Sequence, residues 1–342
     1  MKRARKQQEG VALLLTLWAI LILSILTANL VYNMRLEKEI TDYQRKKAVA
    51  AKLARAGYEW SKFMITKSGS SFSDEEEYGE VFRDKLKHLQ RGVPVRWDDS
   101  QNEMGAIFEK GTFTVEIIPE QGRRNVNTLD EAGWHQLFER SGVPDELWDE
   151  LVDTLADWID SNDLHQLNGA EEDDAFYRDA GYKPKNAPID TIDELLLIKG
   201  WTPEILYGGP SDLEEGLVMT GLASHLTTLG DGKINVNSAS TEVLWSIPGI
   251  DEFGVDGILA GRLGVDGEAG TEDDGFQSAD DAIAAGALDP EEVNGQLTVS
   301  DKRFLRIVAI GEVDGITSGI WALVVVEGDD IVPLFWREAQ MP

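Results

Sequence analysis

Cysteine is absent from the 342 residues. That removes thiol nucleophiles, Cys-ligated zinc and disulfide staples together, and it leaves the redox compartment open. Basic residues are scarce: 32 Lys and Arg stand against 62 Asp and Glu, for a formal net charge of -30. A surface of that sign repels phosphate backbones, whose binding depends on Lys and Arg displacing counterions, so no nucleic acid is expected as a partner. Histidine is rarer still, with His88, His135, His165 and His225 far apart in the chain. The sequence has no His-Glu-x-x-His zinc helix, no Gly-x-x-x-x-Gly-Lys phosphate loop and no Gly-x-Ser-x-Gly elbow. No catalytic constellation is left, and the chain reads as a non-enzyme. What it has in quantity is apolar: 42% hydrophobic residues and 10 Trp. That is too much for a disordered acidic chain and enough for one or two domains with a buried core.

The longest apolar run comes first. Residues 11–32 carry no charged side chain, and as a helix they would extend roughly 33 Å, about one hydrocarbon core. Lys2, Arg3, Arg5 and Lys6 lie just before the run. A core helix is seldom apolar on every side, so a membrane span is expected. A secretory signal is the rival reading, although its apolar stretch is usually about 7 to 15 residues. Charge does not orient the span, because Arg35, Lys38, Arg45, Lys46 and Lys47 flank its other end. From residue 34 there is no Pro or Gly before Gly57, and Leu36, Ile40, Tyr43, Ala50, Ala54 and Tyr58 recur at helical spacing. One helix is therefore expected from residue 11 to about 65, roughly 80 Å long, with a continuous apolar face.

Downstream, residues 112–118, 304–311 and 320–326 are rich in Val and Ile and read as strands. Residues 123–298, between them, are punctuated by Pro and Gly and carry helical periodicity. Leu147, Leu151, Leu155, Trp158 and Ile159, for example, share one stripe. The expected organisation is a mainly helical domain, 123–298, inserted into a small helix-plus-sheet body made of 35–122 and 299–342. Trp134, Trp148 and Trp201 fall in apolar stripes or turns and are expected in the core. Within the insert, Asn125-Val126-Asn127-Thr128 is echoed by Asn235-Val236-Asn237-Ser238, each placing capping side chains before a helical stretch. Glu242-Val243-Leu244 followed by Ile247-Pro248-Gly249-Ile250 reads as a helix–hairpin–helix. Such hairpins can offer Gly N–H groups to DNA phosphates. Here Asp251-Glu252 follow, and residues 251–301 hold 14 acidic residues against Arg262 alone, so a packing role is expected.

Two acidic segments have the composition of a calcium loop, in which carboxylates and glycines let six to eight oxygens converge on a hard cation. One holds Asp266, Glu268, Asp273 and Asp274 among three glycines; the other holds Asp160, Asp163 and Glu171, with Asp173 close by. The first lacks the full spacing of an EF-hand. A solvated acidic loop is the competing reading for the first, and an acidic helix end for the second.

A short basic leader ending in Gly10, followed at once by Val11-Ala12-Leu13-Leu14-Leu15, resembles a prepilin-type leader. Further blocks follow in order: Asp157-Trp158-Ile159-Asp160, Gly169-Ala170-Glu171, Lys185-Asn186-Ala187-Pro188 and Glu194-Leu195-Leu196-Leu197-Ile198-Lys199-Gly200. Together with the two Asn-Val-Asn blocks they are similar to the large minor pseudopilin of type II secretion, the general secretion pathway protein K family. The resemblance spans most of residues 1–250. It implies an α+β, pilin-like fold, with a long N-terminal helix packed on a small antiparallel sheet and a large, mainly helical domain inserted. It implies cleavage of leader 1–10 by prepilin peptidase between Gly10 and Val11, methylation, and a single inner-membrane span over 11–34 with the large domain in the periplasm. The implied partners are the I-, J- and H-type minor pseudopilins, and the implied task is export of folded proteins across the outer membrane from the pseudopilus tip. Most pilins have Glu at the fifth mature position, here Leu15, and the K-type subunit is the member usually lacking it. The resemblance also implies calcium in the inserted domain without fixing its ligands. The alternative is a membrane-tethered helix–hairpin–helix protein that binds DNA during uptake.

Overall fold

No proline interrupts residues 2–69, and the chain there forms one helix, α1 (Lys2–Gly69). The computed structural model describes residues 2–69, 80–98, 111–210, 216, 218–293, 295–299, 303–328 and 330–339. After α1 come α2 (Glu80–Gln90), β1 (Val95–Asp98) and β2 (Thr112–Pro119). The insert follows: β3 (Arg124–Asn125), α3 (Glu131–Ser141), α4 (Trp148–Ile159), α5 (Ala175–Ala180), α6 (Pro203–Tyr207), β4 (Gly209–Pro210), β5 (Val218–Met219) and β6 (Leu226–Thr227). It continues with β7 (Ile234–Asn235), α7 (Thr241–Trp245), α8 (Glu252–Gly261), α9 (Ala279–Ala285) and β8 (Leu297–Thr298). The chain then returns as β9 (Phe304–Val313), β10 (Ile316–Glu327) and β11 (Asp330–Ala339).

The sheet has the order β1-β2-β9-β10-β11 and is antiparallel throughout. β2 and β9 pair from Thr112↔Glu312 to Pro119↔Leu305, so the insert leaves and returns at neighbouring strand ends. A closure that is distant in sequence is thereby local in space. The strands expected from the Val- and Ile-rich runs are β2, β9 and β10. β1 is short, and β11 carries Pro333 in mid-run at a sheet edge, where the Leu323/Val324 register shift on β10 accommodates it.

The C-terminal part of α1 lies on this sheet, and the contact is close because the facing residues are small. A Cβ on Gly311 of β9 would meet the backbone of Ala50 and Ala54 and stand 2.7 Å from the Leu53 Cβ. One on Gly57 would stand 2.9 Å from both Phe113 and Val115 of β2. Around this seam Leu53, Tyr58, Met64, Ile117, Ile307 and Ala322 are buried. The apolar face of α1 is not buried along its whole length. Ala50, Ala54 and Tyr58 are covered, whereas Leu36, Ile40 and Tyr43 remain 44%, 48% and 42% exposed. The reason is length: the longest strand has 12 residues, about 40 Å, against about 100 Å for the helix.

The sequence echo in the insert is a structural repeat. In the first copy β3 runs parallel to β6, and in the second β7 runs parallel to β8. In each, the leading Asn folds its side chain onto the backbone two residues on: Asn125 Oδ1 accepts from the Asn127 N–H at 3.0 Å, and Asn235 Oδ1 from the Asn237 N–H at 2.9 Å. The second Asn then clamps a distant backbone through both ends of its amide. Asn127 binds Ile189 at 3.0 and 2.7 Å, and Asn237 binds Phe276 at 2.9 and 2.8 Å. A capping side chain follows, Asp130 or Ser240, and then a helix pair, α3 with α4 or α7 with α8. Each copy has its own core: Trp134, Trp158 and Trp201 are buried in the first, Ile234, Val255 and Phe276 in the second.

The second copy is also tied to the body. Asn235 and Asn237 donate to the Gly92 and Arg91 carbonyls at 2.9 and 2.7 Å. Lys87 pairs with Glu272, His88 Nε2 lies 2.6 Å from the Thr271 carbonyl oxygen, and Arg91 donates to the carbonyls of Glu272 and Asp274 at 2.7 and 2.9 Å. At the root of the insert, Glu120 is 2% exposed and accepts from Arg123 and Arg306, both at 2.8 Å.

Gly311→Ala should lift α1 off the sheet and lower stability by about 1 to 3 kcal/mol, the usual cost of overpacking. Denaturant unfolding of the detergent-solubilised chain measures it. Gly315→Ala is the control: it meets nothing within 4 Å and is strained only by its φ of +78°.

Candidate functional site

The anchor sets the chemistry at one end. Leu15 lies in α1, 66% exposed, among Leu13, Leu14 and Leu17, which are exposed in like measure. Two hydroxyls of this stretch are answered within the helix: Thr16 and Thr27 donate to the carbonyls of Leu13 and Leu23 at 2.9 and 2.8 Å, which satisfies them without water. Among the described residues, α1 is the one helix long and apolar enough to cross a membrane. Gly10 and Val11 lie in its first turns, and their side chains are outside the described part.

The acidic site of the first repeat is built at the end of α4. Asp157 is fully buried, and its carboxylate accepts from the Gln166 N–H at 3.0 and 3.2 Å and from the Ala170 backbone. A Cβ at Gly169 would run into Asp157 Oδ2, which explains the glycine of the Gly169-Ala170-Glu171 block. Between these points the loop bends by two successive side-chain turns. Asp160 Oδ1 accepts from the Asn162 N–H at 3.0 Å, and Asn162 Oδ1 from the Leu164 N–H at 2.9 Å. Asp163 accepts from Asn186 at 3.1 Å. Glu171 is 2% exposed, and its Oε1 has no hydrogen-bond partner. Burial first, then the charges of Asp157, Asp160 and Asp163, push its carboxyl up to about 7. A buried carboxylate among like charges needs either a proton or a cation. The donors here are oxygens on a loop that glycine allows to bend, the set a hard cation such as calcium takes. His165 is turned away to Asp173, 2.6 Å from its Oδ1.

The second acidic segment, Asp266, Glu268, Asp273 and Asp274, occupies the corresponding place in the second repeat. It joins α8 to the clamped Phe276, as the first joins α4 to the clamped Ile189. Its carboxylates are better supplied. Asp266 accepts from the Glu268 N–H at 2.8 Å, Asp274 from the Gly270 N–H at 2.6 Å, and Asp273 from the Val265 N–H at 2.6 Å and the Thr271 hydroxyl at 2.9 Å. The Val265 hydrogen bond, helped by Thr271, holds the Asp273 carboxyl below its usual range. Lys87 does the same for Glu272. Behind the loop stand Lys87 and His88 of α2 and Arg91 just beyond its end, so this segment is seated against two basic side chains. Among the described residues, Asp274 Oδ1 is the one buried side-chain oxygen of this loop without a hydrogen-bond partner. Sequence reasoning singles out neither Asp157 as a site residue nor Lys87, His88 and Arg91. The Asp157-Trp158-Ile159-Asp160 block was a signal for the first, but nothing in sequence connects residues 87–91 with 271–274.

The hairpin after α7 turns at Gly249, whose φ is +86°. A Cβ there would stand 2.8 and 3.2 Å from the Glu292 Cβ and Oε2, so an acidic side chain covers the glycine that a phosphate would need.

A membrane-length helix laid on an antiparallel sheet, with a helical domain inserted between two paired strands, is the build of a pilin-like subunit. Residues 113–207 match the family described as Type II secretion system (T2SS), protein K. Over 292 residues, 81% of this chain and 76% of the relative, the sequence is 26% identical to type II secretion system protein K of Pseudomonas aeruginosa. The fold is shared with the crystal structure of the GspK-GspI-GspJ complex from the type 2 secretion system of enterotoxigenic Escherichia coli. That match has a TM-score of 0.53 and 16% identity and covers 90% of this chain and 100% of the other. The chain is thus similar to type II secretion protein K in sequence over most of its length and in fold.

Glu171 makes the metal-free chain sensitive to pH in an unusual direction. Its carboxyl titrates near 4.5 unfolded and about 7 folded, so its contribution to stability is full below the lower value and is lost as pH rises through the upper. Unfolding midpoints in chelator should therefore fall between pH 5 and pH 8, and Glu171→Gln should reduce that fall.

Proposed function

We propose that this chain is a minor pseudopilin of the type II secretion system and stands at the tip of its pseudopilus. Its large domain lies in the periplasm, and it is assembled with the I-, J- and H-type minor subunits after prepilin peptidase cuts between Gly10 and Val11. The observation that carries the reading is Leu15. A Glu at that position in the bilayer would need a cationic partner on the neighbouring subunit, because an unpaired carboxylate in lipid is expensive. Leu15 makes no such demand and can be inserted with no subunit ahead of it. Leu36, Ile40 and Tyr43, apolar and exposed just beyond the span, suit the flank of a neighbouring helix. That the Escherichia coli structure is a complex with GspI and GspJ supports partners of the same kind. The basic leader and the basic residues after the span do not decide orientation, and the periplasmic placement rests on the secretion role.

Calcium belongs to the same proposal. The Asp157, Asp160, Asp163 and Glu171 cluster fits it better than the Asp266 to Asp274 loop, because Glu171 is buried without a partner while the second loop already has α2. Calcium there would neutralise the cluster and hold the long connection after α4 in one conformation.

Three measurements test these statements. N-terminal sequencing of protein from cells with the peptidase should begin at Val11; cleavage near Ala28 would mean a secreted product and end the account. Crosslinking from a cysteine placed on the large domain, in a chain with no native cysteine, should capture minor subunits at one copy per filament. Abundant crosslinks to the major subunit along the shaft would overturn the tip position. Calcium should raise the melting temperature of the full chain in detergent relative to chelator, and Asp160→Asn with Glu171→Gln should abolish the rise. If Asp273→Ala with Asp274→Ala abolishes it instead, the ion belongs to the second loop.

A further inference from the structure

The first repeat carries another ligand set of different chemistry, at the opposite end of α4. Glu131 and His135 stand four residues apart on α3 and so share a helix face, and Asp149 lies in the first turn of α4. The hairpin between the helices brings them together, with one ligand atom from each lying within 4.8 Å of the other two. Among the described residues this is the one group of three that meets that condition.

The His135 imidazole is the informative member. Its Nε2 is closed off from water and has no hydrogen-bond partner, although a buried polar nitrogen ordinarily finds one. The nearest carboxylate oxygen, Asp149 Oδ1, is 3.6 Å away, too far for a hydrogen bond. Two ligands bound to one ion at about 2.0 to 2.2 Å, in tetrahedral geometry, stand about 3.3 to 3.6 Å apart. The ring is half-buried and packs on Trp148 with centroids 5.3 Å apart. Trp148 is itself fixed by donating its indole N–H to the Val143 carbonyl at 2.8 Å.

We infer that Glu131, His135 and Asp149 form a binding site for a zinc-class divalent cation that joins the two helices of the first hairpin. One imidazole and two carboxylates are a zinc donor set, and the exposed sides of Glu131 and Asp149 leave the fourth position to water. A hard cation such as calcium has no use for the imidazole and prefers an all-oxygen cluster. The two sites are also separated by the length of α4, 12 residues or about 18 Å. The second repeat cannot copy the site. Counted from the caps Asp130 and Ser240, its residues at the places of Glu131 and His135 are Thr241 and Trp245, and Trp245 is covered by Arg140 at 4.0 Å.

The test uses the full chain in detergent, stripped of metal and then supplied with excess calcium so that the oxygen cluster is satisfied. Zinc titrated by calorimetry should bind at one equivalent, and cobalt at the same site should give the visible absorption of a tetrahedral ion. Asp149→Asn, at a position with a 72% exposed side chain and hence no folding burden, should weaken zinc binding at least tenfold. His135→Gln should do the same and remove the cobalt band, and Glu171→Gln should leave both unchanged. No saturable zinc binding at micromolar concentrations, or binding that survives both Asp149→Asn and His135→Gln, overturns the site.

Discussion

The seam between α1 and β9 is the contact on which the body of the molecule depends. Ala50, Ala54 and Gly311 bring helix backbone to strand backbone with no side chain between them, and the larger core residues are arranged around that line. Because β9 is also the strand to which the chain returns after the insert, the seam can close only when residues far apart in sequence have met. The antiparallel pairing of β2 with β9 and the seating of α1 on both are therefore one event, and the insert is built on the result.

Within the insert the recurring device is the asparagine clamp. A primary amide has a donor and an acceptor a short distance apart, which matches the N–H and C=O of a single residue, so Asn127 and Asn237 each hold a passing strand at one point. The loop that precedes the clamped residue is acidic in both copies, and the two copies answer the charge differently. In the second, Lys87 and His88 of α2 and Arg91 just beyond it approach the loop, and backbone N–H groups donate to Asp266, Asp273 and Asp274. In the first, no ion pair reaches Glu171 among the described residues, and it is left buried among Asp157, Asp160 and Asp163. The same scaffold occurs twice, and its surroundings make the two loops chemically unlike.

Much of the architecture was legible in the sequence because local chemistry dictated it. An uncharged run, a stretch without Pro, alternating Val and Ile, and the paired Asn-Val-Asn blocks each act within a few residues. What could not be read depends on distance in space. The apolar periodicity at Leu36, Ile40 and Tyr43 was visible, but the sheet's failure to reach them is a matter of strand length. β11 was obscured by Pro333, which is harmless at an edge with a register shift opposite. The two acidic segments looked alike in composition, and only the approach of α2 to one of them tells them apart. Glu131, His135 and Asp149 were dispersed in sequence and are assembled by a turn.

The way the insert is mounted has a mechanical meaning. Two neighbouring strand ends, Pro119 beside Leu305, would by themselves act as a hinge about which a large domain could swing. The Glu120 pair with Arg123 and Arg306 stiffens the root of that hinge, and the docking of residues 271–274 on α2 adds a support away from its axis. The insert is therefore held to the body at two separate places, its root and α2, and rotation about the strand ends is restrained by contacts that those ends do not themselves make.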